Sequence, residues 1–199
     1  MVTRTSDSTF YKALTWKEPK RIFTCSWSDF FIEEADSWRA EAWNVILNTP
    51  QHTWMILTKR IERVLAAVPN LSGKKSLESD VDFTRLPKNV WLGTSVENAR
   101  YYHRIEQLRQ VDCPLRFLSI EPLLGRMADI RHHLEGIGWV IVGGESGPSF
   151  RPLNLDWVRE IRDACVDCHI PFFFKQQSGL FPKSLDRKLD GREWDEIPQ

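Results

Sequence analysis

The chain has 199 residues, with 27 Lys plus Arg against 27 Asp plus Glu, a formal charge of zero. That balance disfavours a protein that grips nucleic-acid backbone, which needs a basic excess, and one that lies on a membrane through a basic face. At 42% hydrophobic and 27% charged, the composition is that of a single folded domain with an aromatic-rich core.

Met1 to Thr9 is Ser, Thr and charge without an apolar run, so it reads as no signal peptide. No stretch approaches the ~20 apolar residues of a membrane-spanning helix. A cytoplasmic chain is expected, with residues 1–15 poorly ordered. The first strand is expected at Arg21–Ser26 and a helix from Asp36, with Trp38, Ala42, Trp43, Ile46 and Leu47 on its apolar face. His52–Thr58 reads as a second strand. Ile61, Val64, Leu65 and Val68 then recur at helical spacing until Pro69. Asn70–Lys88 is polar and reads as a mobile loop. Asn89–Ser95 is the third strand, and Glu97–Arg109 a helix using Tyr101, Ile105 and Leu108. Leu115–Ile120 is the fourth strand, followed by a short helix around Met127, Ile130 and Leu134. Gly138–Val142 is the fifth strand, and a helix capped by Asp156 runs to His169. Pro171–Lys175 is the sixth strand, and Asp190-Gly191 signals a hairpin turn.

Strands alternating with helices imply parallel βα units, and continuous apolar strands suit a parallel sheet buried on both faces. With neither a GxGxxG fingerprint nor a P-loop, the expected fold is α/β: a partial TIM-like (β/α) barrel of about six parallel strands with outer helices. It should span 16–177, with a tail at 178–199 carrying the hairpin.

In such folds function gathers at the carboxyl ends of the strands. Those positions supply Asp29 after the first strand, Lys59 and Arg60 after the second, and Ser95 and Glu97 after the third. The fourth supplies Ser119 and Glu121, the fifth Gly143, Gly144, Glu145 and Ser146, and the sixth Lys175 and Gln176. Ser95 and Ser146 also suit helix N-caps. Lys59, Glu121 and Lys175 are the candidate catalytic groups, since amines and carboxylates on one rim can trade protons or hold a zwitterionic or phosphate-bearing small molecule. Gly143 and Gly144 allow close backbone approach to a ligand, so Gly143 to Ser146 form the candidate cofactor loop. Asp29, Arg60, Ser95, Glu97, Ser119 and Gln176 are the candidate substrate contacts.

Cys165-Val166-Asp167-Cys168-His169 spells the CxxCH of haem attachment and half of a zinc pattern. The pair lies on the apolar face with Val158 and Ile161, and no second Cys or His pair sits at metal spacing, so both thiols read as core residues and no metal site is expected. His132-His133 reads as a solvated pair, and His52 and His103 stand alone.

Several stretches occur in order: Trp16-Lys17-Glu18-Pro19-Lys20-Arg21-Ile22-Phe23, Ser28-Asp29-Phe30-Phe31, Leu57-Thr58-Lys59-Arg60, Val90 to Glu97, Leu118 to Gly125, Val140 to Gly147, Phe172 to Gln176 and Asp190 to Pro198. Together they resemble the phage gp thirty-seven/sixty-eight family of phages and prophages, over nearly everything from Trp16 onward. Members resemble radical S-adenosylmethionine (SAM) proteins, in which a Gly-Cys segment followed by Cys-x-x-Cys-Tyr would hold a [4Fe–4S] cluster above a partial barrel. The resemblance implies SAM and the cluster as cofactors. It implies that Glu145 and the glycines before it contact SAM, while Lys59, Glu121 and Lys175 hold substrate or tune charge. This sequence departs from the pattern because no cysteine precedes Trp16, and three thiolates are needed to hold the cluster. The expectation is therefore a truncated chain, one part of a split pair, or a degenerate relative, with catalysis left open. The alternative is a non-enzymatic interaction protein whose exposed strand edge is covered by a partner chain or a second copy.

Overall fold

Each of the six apolar runs becomes a strand. In a computed structural model, which describes residues 2–67, 85–181 and 187–199 (the backbone alone for 65–67), these are β1 (Arg21–Thr24), β2 (Thr53–Thr58), β3 (Val90–Ser95), β4 (Leu115–Ile120), β5 (Trp139–Gly143) and β6 (Phe172–Gln176). They form one sheet in chain order, with parallel register Arg21↔Thr53, Phe117↔Trp139 and Val140↔Phe172. A parallel sheet wound in one direction, with helices between its strands, is the α/β partial-barrel fold; a doubly wound sheet reverses its strand order.

The chain divides into two compact units where composition suggested one: 1–93 with 110–114, and 94–109 with 115–199. In the first, α2 (Asp36–Leu47) buries Trp43, Val45 and Ile46, and Phe30 packs edge-on against Trp43 at 5.2 Å. Leu47, expected on the apolar face, is exposed at the last turn. Thr49 ties the helix to the sheet: its hydroxyl donates to the Val45 carbonyl and accepts from Trp54 Nε1. Helix α3 (Ile61–Ala67) buries Ile61 and Val64. Pro69 and most of the expected mobile loop, residues 70–84, lie outside the described residues.

Residues 1–15, expected to be poorly ordered, contain a helical turn α1 (Asp7–Phe10) and a 3-10 turn at Lys12–Thr15. The reason is His52, fully buried, whose Nδ1 accepts from the Lys20 amide while Nε2 donates to the Ala13 carbonyl. Gln51 Nε2 donates to the Trp16 carbonyl nearby. Two polar side chains thus hold the segment down, a long-range effect that local composition does not carry.

In the second unit the core is Phe117, Leu118 and Ile120 of β4, Val140 and Val142 of β5, and Phe172 and Phe174 of β6. A 3-10 turn at Ala99–Tyr101 leads into α4 (Tyr102–Arg109), which buries Ile105 and Leu108. Met127, Ile130 and Leu134 are buried as expected, around a 3-10 turn at Ile130–His133. Helix α5 (Leu155–Asp167) is capped by Asn154, which accepts from the Asp156 amide at 2.9 Å, and not by Asp156 itself. The hairpin forms as expected: β7 (Lys188–Leu189) pairs antiparallel with β8 (Arg192–Glu193) across Asp190 and Gly191, both at positive φ. The tail then returns to β6, where Phe174 N–H donates to the Trp194 carbonyl and Phe173 bridges Asp195.

Candidate functional site

In the first unit, the groups expected at strand ends converge on Asp29. Its carboxylate accepts from Thr58 Oγ1 (2.8 Å), the Lys59 amide (2.9 Å), Arg60 Nη1 (3.1 Å) and the Phe31 amide (2.9 Å). Four donors satisfy the acid, so Asp29 joins the loop after β1 to the loop after β2. Asp29, Arg60 and the Lys59 backbone are brought together as expected, in a geometry that builds loops.

The second unit holds the more chemical arrangement. By register Ile120 faces Val142, so Glu121 follows β4 beside Gly143 at the end of β5. On the other side Val142 pairs with Phe174 and Gly143 with Gln176, leaving Lys175 as an extra residue on β6. A bulge of this kind leaves one residue out of the ladder and re-aims its side chain, and bulges concentrate beside active sites. Neighbouring strands lie about 4.8 Å apart, so β4 and β6 are roughly 10 Å apart with β5 between them. Lys175 Nζ nevertheless donates to both Glu121 carboxylate oxygens, at 2.8 and 2.9 Å. The bridge passes over Gly143: a Cβ there would stand 3.2 Å from Glu121 Cδ and 3.3 Å from Cγ. The bulge and the glycine together let a carboxylate and an ammonium from non-adjacent strands meet above the middle strand. Glu121 is the more covered partner, with 19% of its side chain exposed, against 50% for Lys175.

The glycine loop beyond is hydrogen-bonded to the segment after β6. Gly144 N–H donates to the Gln176 carbonyl, and buried Gln176 Nε2 donates to the Gly144 carbonyl. The Glu145 amide donates to Ser178 Oγ, Gly179 N–H to the Glu145 carbonyl, and Ser146 bridges Gly179. Glu145 is held by Arg151, which donates from Nε (2.7 Å), Nη2 (2.5 Å) and its own amide (2.8 Å). Those donors hold the carboxyl at about 2, far below its ordinary 4.5.

Glu97 is buried and pairs with Arg104 Nη1 at 3.1 Å; the same nitrogen donates to the Ser95 carbonyl, and the Arg104 guanidinium stacks 4.2 Å from the Tyr101 ring centroid. Ser119 is buried on β4, where its carbonyl accepts from the Val96 amide. The helix caps are Asn98 and Asn154, not Ser95 or Ser146. Sequence reasoning missed three partners: Arg151, Arg104 and Ser178. Arg104 follows Glu97 by seven residues on the coming helix, a spacing that carried a signal. Arg151 and Ser178 lie in loops, where nothing periodic points to them.

The thiols do not fit an iron–sulfur cluster. Cys25 and Cys113 belong to the first unit, Cys165 and Cys168 to the second; Cys113 and Cys165 are buried and Cys25 is exposed. Burial pushes the Cys165 thiol up, so the thiolate that a metal needs is disfavoured there. Among the described residues no group of three or more His, Cys, Asp or Glu is placed to hold a metal ion. Cys165 is a core thiol as expected, while Cys168 is only partly covered. His133 stacks on Tyr102 at 3.9 Å and meets Glu106 at 3.1 Å. An open depression at the amino-terminal ends of β2 and β3, lined by His52, Thr53, Pro87 and Asn89 among others, lies at the end opposite to barrel chemistry. No helix of the described residues is long and apolar enough to cross a membrane.

No curated protein and no solved structure matches the chain. A family model described as a protein of unknown function (DUF5131) matches residues 1–198, and the chain belongs to that family.

Proposed function

We propose that this chain is a radical-SAM-like partial-barrel protein of phage or prophage type that acts in the cytoplasm and binds a small ligand at the carboxyl ends of β4, β5 and β6. The ligand that the sequence resemblance implies is SAM. One observation carries the reading: a bulged Lys175 and a glycine at position 143 let Glu121 and Lys175 meet above the end of β5. A stable sheet does not require the bulge, since a regular ladder would pair the strands equally well. Glu121 and Lys175 supply the charged groups, Gly143 leaves room for them to meet, and Arg151 fixes the Glu145 carboxylate two residues further along the chain.

Isothermal titration of the chain with SAM tests the reading. Binding is expected, and Lys175→Ala should weaken it about ten-fold, the order expected for a charge-assisted contact. Absence of binding to the unaltered chain would overturn it.

A second reading is self-association through β1. Among the described residues β1 ends the sheet, Phe23 is 44% exposed and Trp27 is fully exposed. With zero net charge, two copies feel no net long-range repulsion on approach. A concentration-dependent dimer in light scattering, lost in Phe23→Lys, would support this reading; a monomer at high concentration would sink it.

A further inference from the structure

Strand β1 carries its unused backbone groups on a fixed pair of residues. The Lys20 carbonyl accepts from the Thr53 amide, and along the ladder Arg21 aligns with Thr53 and Phe23 with Met55. In a strand paired on one side, alternate residues turn their N–H and C=O groups the other way. Ile22 and Thr24 therefore bond β2, while Arg21 and Phe23 each aim a donor and an acceptor at the open edge, where β1 ends the sheet. Both ends of that edge are closed to further pairing. Pro19, the outward position before Arg21, has no N–H, and Cys25, the outward position after Phe23, leaves the strand at φ 58°. Arg21 and Phe23 also share one face of the sheet, and both side chains are exposed. Among the described residues Arg21 has no ion pair and no side-chain hydrogen bond.

We propose that two copies of this chain pair through β1 as antiparallel strands related by a two-fold axis at Ile22, with Arg21 of each copy opposite Phe23 of the other. The proposal rests on the self-association reading above and fixes its geometry. A two-fold axis in the sheet makes the paired strands antiparallel and every contact reciprocal. Three registers bring the outward residues face to face. Centred on Arg21, the pairing would oppose two guanidinium groups and set Phe23 against Pro19, which cannot donate. Centred on Phe23, it would set Arg21 against Cys25, which has already turned out of the ladder. Centred on Ile22, Arg21 and Phe23 exchange both backbone bonds in each of their pairs, and neither residue keeps an unused outward group. Directly opposite side chains in such a ladder touch, so each Arg21 guanidinium meets the face of the second copy's Phe23 ring. Self-complementarity selects a second copy as the occupant: the edge presents a cation and a ring at the spacing that its own inverse needs. A chain of zero net charge also meets its copy without net repulsion. With Pro19 and Cys25 as stops, the ladder is short and held in one register, so the dimer is weak and concentration-dependent.

Disulfide trapping on the full chain reads the register. A Cys25→Ser background removes the exposed native thiol. In it, Ile22→Cys puts two thiols on Cα atoms about 4.5 Å apart, within the span of a disulfide. Mild oxidation should give a linked dimer, with the joined peptides identified by mass spectrometry. Arg21→Cys and Phe23→Cys should each stay unlinked alone and should link when mixed, because each position meets the other and not itself. In light scattering, Arg21→Ala should weaken the dimer about ten-fold through loss of both cation–ring contacts, while Arg21→Lys keeps most of the affinity. These side chains are exposed or half-exposed, so melting temperatures are expected within a few degrees of the parent and separate lost pairing from lost fold. A dimer that Phe23→Lys abolishes, but that links through Phe23→Cys alone or Arg21→Cys alone, would uphold association through β1 and overturn this register. A chain that stays monomeric at high concentration, or whose β1 pairs only with a strand of another protein, overturns both.

Discussion

A Cβ at Gly144 would lie 2.3 Å from the Ser178 amide nitrogen and 2.7 Å from the Gln177 carbonyl carbon, whereas at Gly143 the nearest atoms belong to the Glu121 side chain, at 3.2 Å. The first obstacle is backbone and the second is a side chain that can swing, so adjacent glycines should answer differently to substitution. Gly144→Ala is expected to cost about 1–3 kcal/mol, as overpacking does, read as a drop in the thermal midpoint. Gly143→Ala should leave the midpoint nearly unchanged and displace Glu121 from Lys175, weakening any rim ligand. A midpoint that falls equally in both would refute the distinction. The Glu145–Arg151 contact carries its own pH signature. The folded carboxyl, at about 2, lies below its ordinary 4.5, so the contact contributes stability above pH 4.5 and loses it as the pH falls toward 2. Glu145→Gln should therefore flatten the fall in thermal midpoint across that window and leave the slope above pH 5 unaltered. At this scale the sequence named Glu121, Lys175 and both glycines, because strand ends are readable from apolar runs. It did not show that Lys175 is bulged, since register depends on backbone pairing, and nothing local marked Arg151 as the partner of Glu145.

Helix α5 shows where local signals succeed and where they slip. Its apolar spacing placed Val158, Ile161 and Cys165 correctly in the core. Its start was misplaced because Asn154 and Asp156 both suit a cap, and only geometry distinguishes them: Asn154 is extended and accepts from the Asp156 amide, while Asp156 is already inside the first turn beside Arg159. Asn154→Ala is accordingly expected to cost about 1 kcal/mol, the usual worth of an N-cap. Asp156→Ala should cost less, since it removes an exposed pair to Arg159 and a favourable charge near the helix N-terminus. Chemical denaturation of the two variants settles the order, and a larger loss in Asp156→Ala would contradict it. The hairpin was legible for the opposite reason: Asp-Gly meets a local demand for two residues at positive φ, whatever the tertiary setting. That setting adds a further role, for Asp190 also accepts from Arg159 and Arg162 of α5.

At the scale of the whole chain, alternation of apolar runs and helical periods was enough to predict a singly wound parallel sheet, because each βα unit declares itself locally. The division into two compact units was not legible, since it depends on which side chains pack together across long separations. Net charge, by contrast, is wholly a property of sequence, and it has a measurable consequence. With 27 basic and 27 acidic residues and a pI near 7.0, electrostatic repulsion between copies is weakest at neutral pH. Exposed Phe23, Trp27, Leu180 and Phe181 offer apolar contact where repulsion is lacking. Attraction between molecules in light scattering should therefore be strongest near pH 7 at low salt. It should weaken at pH 5.5, below the pI, where the chain as a whole carries net positive charge. Added salt at pH 5.5 should restore attraction by screening, whereas at pH 7 there is little net repulsion to screen and salt should change little. Trp27→Ser should reduce attraction at both pH values without shifting the position of the maximum, because it removes apolar contact and leaves the charge balance intact. A maximum displaced far from pH 7, or one that moves with Trp27→Ser, would mean that a local charged patch rather than the neutral total governs association.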